Sequence, residues 1–137
     1  MALFKALKKL FVASSNSSRG KKAPIVYDFS SEPVEDLYCF HGSEEQYFSW
    51  ILSYYFPELK VVRHVQIAGP NDLPVTFMLY RDDRPILAVF VCFDDYRNAR
   101  TRHAVAACEE KGIPYQRYYY NFRNDKHYVV DRIRSAL

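Results

Sequence analysis

The feature that most constrains the fold of this chain is the stretch at 73–93, which reads LPVTFMLYRDDRPILAVFVCF. Apolar runs of β-branched and aromatic residues, closed by Asp and Pro, are typical of β-hairpins. We therefore predict strands at 75–80 and 86–93, joined by the polar turn 81–85. The second run has eight residues and no polar side chain other than a thiol, which predicts a central strand covered on both faces.

The elements around this hairpin predict an α+β domain at 24–137. Ser43 and Gln46 form the sequence of a capping box, and the apolar period that follows predicts a helix that Pro57 ends. Residues 25–41 stay open between a short strand, a loop and a short helix. The remaining elements are a strand at 59–68, the hairpin, a helix at 96–111 capped by Asp94 and Asp95, a strand at 115–122 and a final helix from Asn124 or Asp125. In the final helix we expect one side to carry Tyr128, Val129, Ile133 and Leu137. A meander followed by a crossover to the fourth strand predicts an α/β (α+β) fold with a central mixed sheet of about four strands, flanked by helices.

The N-terminal part differs from the rest of the chain in charge. Residues 1–25 hold six Lys and Arg side chains and no acid, whereas residues 26–137 hold 13 basic and 16 acidic side chains. Helical spacing of apolar residues predicts an amphipathic basic helix at 1–12, and the Ser- and Lys-rich segment 13–23 predicts a flexible linker. Such a helix can contact a membrane surface or an unknown protein partner, pack on its own domain, or remain disordered. The candidate contact residues are Phe4, Leu7, Lys8, Lys9 and Phe11.

The cysteine pattern and the hydropathy predict a cytoplasmic protein, with peripheral attachment to a membrane through residues 1–12 as the alternative. The three cysteines show no CxxC spacing, which is typical of reduced, buried thiols. No apolar window is long enough to span a membrane, and lysines interrupt any signal-like apolar run. Cys39 and His41 form half of a zinc site at most, because zinc needs four ligands. We expect neither a structural metal nor a cofactor.

Four pieces of sequence carry a resemblance to a known superfamily. They are EEQYFSWIL at 44–52, VTF at 75–77, RPILAVFVCFDD at 84–95 and KGIPYQRY at 111–118. In this order and spacing they resemble the PD-(D/E)XK, or restriction-endonuclease-like, superfamily, and within it small uncharacterised bacterial members. The resemblance covers residues 42–120 and implies a restriction-endonuclease-like core.

The same resemblance implies that the nuclease site is degenerate. In active members, carboxylates on the second and third strands hold Mg²⁺, which activates a water molecule. At the matching positions this chain has Thr76, Phe90 and Cys92, and of the motif carboxylates only Glu44 or Glu45 remains. A single carboxylate does not hold a hard divalent cation that takes several oxygen ligands. The resemblance therefore implies no catalytic residues, with a rearranged Mg²⁺ site as the alternative; its residues would be Glu44, Glu45, Asp94 and Asp95.

Basic and aromatic residues in the C-terminal half are candidates for nucleic-acid binding. They are Arg97, Arg100, Arg102, Arg117 and Tyr119. Arginines interleaved with aromatic rings can contact phosphates and stack on bases, but we favour the interpretation that they form ordinary ion pairs on a solvated surface. Because residues 26–137 are net negative, nucleic acid is not the favoured partner. We expect a catalytically inactive nuclease-like domain that acts as a binding or scaffolding module; nucleic-acid binding and a rearranged metal-dependent nuclease remain the alternatives.

Overall fold

The structure, a computed structural model, describes residues 28–92, 99–120 and 122–137. The predicted helix 1–12, the linker 13–23 and the predicted caps Asp94 and Asp95 lie outside these residues. The helices are α1 (Glu44–Tyr55), α2 (Ala99–Glu110) and α3 (Lys126–Ala136), and a short 3₁₀ helix, Leu37–Cys39, precedes them. The strands are β1 (Lys60–Val65), β2 (Val75–Arg81), β3 (Arg84–Cys92) and β4 (Tyr115–Tyr119).

The four strands form one mixed sheet in the order β1-β2-β3-β4. The first three strands pair antiparallel as a meander, and β4 pairs parallel to β3 after the crossover through α2. This arrangement confirms the predicted α+β class and the four-stranded mixed sheet flanked by helices. It also makes β4 an edge strand, which matters for the site described below.

The hairpin turn is shorter than the sequence suggested. The predicted polar turn 81–85 was wrong in length, because Arg81 pairs with Arg84 and leaves Asp82 and Asp83 as a two-residue turn. Both Asp residues have positive φ angles, 52° and 64°, and such turns match the twist of the two strands. The register shifts beside Tyr80, which is paired with Pro85. Proline has no N–H to donate, so an irregularity there avoids an unmade hydrogen bond.

Two further strands are also shorter than predicted, and the ambiguous N-terminal segment holds no described strand. The strand predicted at 59–68 ends at Val65, which pairs with the first residue of β2. The strand predicted at 115–122 ends at Tyr119, which pairs with the last residue of β3. Val65 thus lies opposite the start of β2, where no ladder remains to extend, and Tyr119 lies opposite the last described residue of β3. Within the possible strand at 25–29 the structure describes Asp28 and Phe29. Neither residue belongs to a strand, and Phe29 lies in a turn.

The sheet separates two hydrophobic cores, which confirms that β3 is covered on both faces. Alternate residues of β3 (Leu87, Val89 and Val91) face the core formed with α1 and α3. The intervening residues (Ala88, Phe90 and Cys92) face the core formed with Ala104 and Cys108 of α2. The cysteines Cys39, Cys92 and Cys108 are free thiols. Among the described residues, no helix is long and apolar enough to cross a membrane.

Helix α1 begins with the predicted capping box, in which Ser43 and Gln46 exchange hydrogen bonds. Its buried face includes Trp50 together with Tyr47, Phe48, Ile51 and Leu52. The Trp50 ring stacks on Phe29 at 5.2 Å, and its Nε1–H donates to the carbonyl of Ser31. The described segment that precedes α1 is therefore fixed to the domain by α1 itself.

Helix α3 presents a different face to the core from the predicted one. Val129 and Ile133 are buried as predicted, but Tyr128 and Leu137 are exposed. The reason is the position of α3, which turns the face of Lys126, Val130 and Ile133 toward the sheet and α1. Tyr128 instead lies at the margin, beside β4.

Lys126 anchors α3 to the segment before α1. Only 5% of Lys126 is exposed, and its Nζ donates to Glu32 Oε2 at 2.6 Å and to the Pro33 carbonyl at 3.1 Å. Burial acts to lower the pKa of Lys126, but hydrogen bonds to Glu32 and Tyr55 outweigh it, so the pKa is raised. Lys126 thus links the start of α3 to Glu32 and Pro33, near the beginning of the described chain.

Candidate functional site

Thr76 occupies the first degenerate motif position and has a structural role. The backbone pairing of β2 with β3 begins at Phe77 and Val89, so Val91 lies two residues beyond the last paired residue of β3. The Thr76 Oγ1 accepts the Val91 N–H at 2.9 Å in a buried position. The hydroxyl therefore replaces a ladder hydrogen bond.

Phe90 and Cys92, the other two motif positions, are packed into the core against α2. Phe90 is fully buried, and its ring meets Tyr115 edge-on with centroids 6.5 Å apart. Cys92 is also buried, and its carbonyl accepts the N–H of Tyr120 at 3.0 Å. These side chains offer a ring and a thiol where a hard divalent cation takes oxygen ligands.

The two glutamates at the start of α1, Glu44 and Glu45, contact different residues. The Asn124 Nδ2 donates to Glu44 at 3.4 Å, and burial raises the pKa of Glu44. Glu45 accepts from Arg63 at 3.3 Å and lies 2.7 Å from His64 Nε2. Among the residues that the structure describes, no three His, Cys, Asp or Glu side chains form an arrangement that could hold a metal ion. Asp94 and Asp95, the other members of the rearranged-site alternative, are not among those residues.

The structure divides the predicted nucleic-acid candidates between separate places. The Arg100 Nε donates to the Asn71 carbonyl at 2.7 Å, in the loop that joins β1 and β2. Arg102 is exposed on α2, and Arg97 lies outside the described residues. Arg117 and Tyr119 instead lie on β4 at the opposite edge of the sheet. The five residues therefore do not form one surface in the described structure.

A cavity of about 510 Å³ lies at the β4 edge, between β4 and the first turns of α3. We call it the β4–α3 cavity. It brings together two of the predicted residues and four that the sequence analysis missed. These residues are Arg117, Tyr119, Phe122, Asn124, Tyr128 and Arg132. The missed pair Tyr128 and Arg132 has i, i+4 spacing on one helix face, a signal that the sequence does contain.

Aromatic rings dominate the mouth of the β4–α3 cavity. Phe122 is 51% exposed and Tyr128 is 47% exposed. The Phe122 ring meets Tyr119 edge-on at 5.4 Å, and Tyr128 meets Tyr118 in the same way at 6.0 Å. Exposed aromatic rings held by neighbouring rings at a cavity mouth present flat apolar faces to a ligand.

The charge of the β4–α3 cavity is positive. Arg132 lies 4.6 Å from the ring centroid of Tyr118 and donates to the carbonyl of Arg117 at 2.9 Å. Neither Arg132 nor Arg117 forms an ion pair within the described structure, whereas nearby Arg123 pairs with Asp36 and Asp125. The described lining residues include no carboxylate. The two cavity arginines therefore keep their positive charge available to an anion.

Two buried polar atoms of the cavity residues lack a hydrogen-bond partner. They are Arg117 Nε and Asn124 Oδ1, and no other buried side-chain nitrogen or oxygen of the described residues is left in this state. Asn124 is only 1% exposed, and its Nδ2 donates to the Tyr119 carbonyl at 3.0 Å, which fixes the orientation of the amide. An unmet buried donor or acceptor costs about 1–3 kcal/mol. Both atoms belong to residues that line the β4–α3 cavity.

Two of the tyrosines that line the cavity, Tyr115 and Tyr118, are neutral at physiological pH. Burial raises the pKa of Tyr115 and of Tyr118 above the usual value for a phenol. The Tyr118 hydroxyl donates to Gln116 Oε1 at 2.7 Å. The β4–α3 cavity therefore combines neutral phenols, ring faces and two guanidinium groups, a set of groups suited to binding.

Comparisons of the chain with protein-family models, with curated proteins and with solved structures found no match. The assignment to the restriction-endonuclease-like superfamily therefore stays a prediction from the residues at 42–120.

Proposed function

We propose that this chain is a binding module on a restriction-endonuclease-like core, with motif positions that serve packing rather than catalysis. Phe90 in the α2 core and the Thr76 hydroxyl on the Val91 N–H support this proposal. Glu45, one of the remaining carboxylates, is engaged by Arg63 and His64. The side chains at the positions where active members of the superfamily hold a metal therefore stabilise the core of this chain.

The single observation that carries the binding proposal is the content of the β4–α3 cavity. Two arginines that form no ion pair within the described structure and two half-exposed rings line this cavity. The two buried polar atoms that lack a partner among the described residues belong to Arg117 and Asn124, which also line it. Proteins generally satisfy buried polar groups, so two exceptions at one place mark a site that a ligand or water completes. The ligand that fits carries an anionic group beside a planar face.

The segment at 1–12 supplies the second part of the proposal. Its basic and apolar pattern supports attachment of the module to a membrane surface or to a protein partner in the cytoplasm. Pelleting of the full chain with anionic vesicles should fall when Leu7 and Phe11 are both replaced by Glu. Equal pelleting of the two proteins would refute membrane attachment.

A nuclease assay tests the absence of chemistry at the motif positions. The full chain is incubated with single- and double-stranded DNA and RNA in the presence of Mg²⁺ or Mn²⁺, and Glu44→Ala serves as the control for contaminating nucleases. We expect no cleavage that depends on Glu44. Cleavage that disappears in Glu44→Ala would contradict the proposal and make Asp94 and Asp95 the next residues to replace.

Ligand titration followed by NMR tests the β4–α3 cavity itself. Phenyl phosphate and adenosine monophosphate are small probes that carry the expected anion and ring. Their addition should shift the backbone amide signals of Tyr119, Phe122 and Asn124 more than those of α2. Shifts confined to other surfaces, or no shifts with either probe, would remove the β4–α3 cavity as the binding site.

A further inference from the structure

We propose that the ligand of the β4–α3 cavity is single-stranded nucleic acid, with bases stacked on Phe122 and Tyr128 and phosphates beside Arg117 and Arg132. This inference rests on the proposed function, since it names the class of ligand for the same cavity. It places the nucleic acid at the β4 edge, apart from the motif positions Thr76, Phe90 and Cys92.

The exposed rings favour a ligand with accessible flat faces. Half of Phe122 and nearly half of Tyr128 remain in contact with solvent, although each ring is supported by a tyrosine of β4. Unpaired bases stack on such rings regardless of their sequence. In a duplex the base faces are already stacked on one another, so double-stranded nucleic acid cannot use these two rings without unstacking.

The distribution of charge favours an anion. Residues 26–137 carry three more acidic than basic side chains, 16 against 13, so the domain as a whole repels nucleic acid. The β4–α3 cavity departs from this average, because its two arginines form no ion pair with any residue that the structure describes and its described lining holds no carboxylate. A phosphate placed there meets guanidinium groups whose planar shape matches its oxygens.

The edge position of β4 raises the alternative of a peptide added as a fifth strand. The backbone of β4 disfavours it, because the carbonyls that such a strand would need are already engaged. The Arg117 carbonyl accepts from Arg132 at 2.9 Å, and the Tyr119 carbonyl accepts from Asn124 at 3.0 Å. These side chains protect the edge in the way that natural sheets avoid unwanted pairing. What β4 offers to a ligand is its side chains rather than its backbone.

Binding of a fluorescently labelled short oligonucleotide of mixed sequence to the full chain tests this inference. The single strand should bind on the order of 10-fold more tightly than the matching duplex, and its affinity should fall as the salt concentration rises. Phe122→Leu and Tyr128→Leu should each weaken single-strand binding on the order of 10-fold. Tyr54→Leu is the matched control, since Tyr54 is a similarly exposed ring on α1 and its loss should not change the affinity. Because all three rings are exposed, the variants should fold, which circular dichroism checks.

The outcomes separate this inference from the proposed function. Equal or tighter binding of the duplex, or single-strand binding that neither Phe122→Leu nor Tyr128→Leu weakens, overturns the inference. If phenyl phosphate shifts the signals of the β4–α3 cavity and the oligonucleotide does not bind, the inference fails while the proposed function stands. If neither probe binds to the β4–α3 cavity, both fail.

Discussion

The core around the motif positions and the β4–α3 cavity differ in how completely their polar groups are paired. In the first region the Thr76 hydroxyl accepts a backbone N–H, and Phe90 and Cys92 are closed in by α2. In the second region Arg117 Nε and Asn124 Oδ1 have no hydrogen-bond partner among the described residues, and the rings of Phe122 and Tyr128 remain half exposed. Both regions lie on the same sheet. The motif positions are on β2 and β3, and the cavity is lined by the neighbouring edge strand β4.

This difference indicates where folding and binding are encoded. A region with satisfied hydrogen bonds and full burial lowers the energy of the folded chain by itself. A region with unmet polar atoms and exposed rings lowers it less, and proteins tolerate such local inconsistencies mainly at functional sites. Substitutions in the first region should therefore change the free energy of unfolding, whereas substitutions in the second should change the affinity for a ligand.

The largest effect should follow Phe90→Ala. Removing a fully buried aromatic side chain leaves a cavity and costs about 3–5 kcal/mol of unfolding free energy. Urea denaturation followed by circular dichroism measures this loss. The folded variant should bind the single strand with unchanged affinity. A loss of affinity without a loss of stability would contradict a purely structural role for Phe90.

Arg117→Gln should show the opposite pattern. We expect it to weaken single-strand binding by about 10-fold or more, because a charge-assisted hydrogen bond contributes about 1.5–3 kcal/mol. Its stability should change little, since Arg117 Nε has no partner to lose. Arg102→Gln makes the same change of charge on α2 and is the matched control for general electrostatics. Equal losses of affinity in the two variants would contradict a site at β4.

Thr76→Val tests the role of the buried Thr76 hydroxyl, with a smaller expected loss of unfolding free energy than Phe90→Ala. Valine keeps the shape of threonine but cannot accept the Val91 N–H, so a buried donor loses its partner at a cost of about 1–2 kcal/mol. Thr76→Ser retains the hydroxyl and should lose less stability. A Thr76→Val protein as stable as the parent would show that the hydroxyl has no such role.

The smallest effect should be an acid-induced loss of stability that belongs to neither region. The hydrogen bond from Lys126 lowers the pKa of Glu32, and the backbone N–H of Tyr38 lowers that of Asp36. The folded chain thus favours the ionised carboxylates. Their contribution is complete above the ordinary pKa values of 4.5 and 3.8 and is lost as the pH falls through the lowered values.

Urea midpoints measured across this acid range for the parent chain and for Glu32→Gln test the effect. The parent should lose stability below about pH 4, and Glu32→Gln should lose less over the same range. Superimposable pH profiles for the two proteins would argue against a role for the Glu32 pair with Lys126.

The sequence predicted the framework well where one strong local signal determined it. The apolar run of β3 predicted a central strand with two covered faces, and Ser43 with Gln46 predicted the start of α1. The boundaries were less predictable: β1 ends at Val65, opposite the first residue of β2, and β4 ends at Tyr119, opposite the last described residue of β3. Pairing length is a property of two strands, which a single segment does not reveal.

The candidate site was only partly predictable. Arg117 and Tyr119 were identified from their alternation on one strand, but Phe122, Asn124, Tyr128 and Arg132 join them only through the packing of α3 beside β4. The sequence also grouped Arg100 with Arg117, although the first contacts the β1–β2 loop and the second lies on the far edge. Which edge of a sheet a residue occupies follows from strand order, and no local pattern encodes it.

Photo-crosslinking of the full chain to a short single-stranded oligonucleotide that carries thiothymidine tests whether the single strand binds at the β4–α3 cavity. After ultraviolet irradiation, mass spectrometry of the digested protein locates the attached nucleotide. We expect crosslinks in the peptides that contain Phe122 and Tyr128. Crosslinks confined to residues 1–12, to α2, or to the peptides of Thr76 and Phe90 would contradict binding at this cavity.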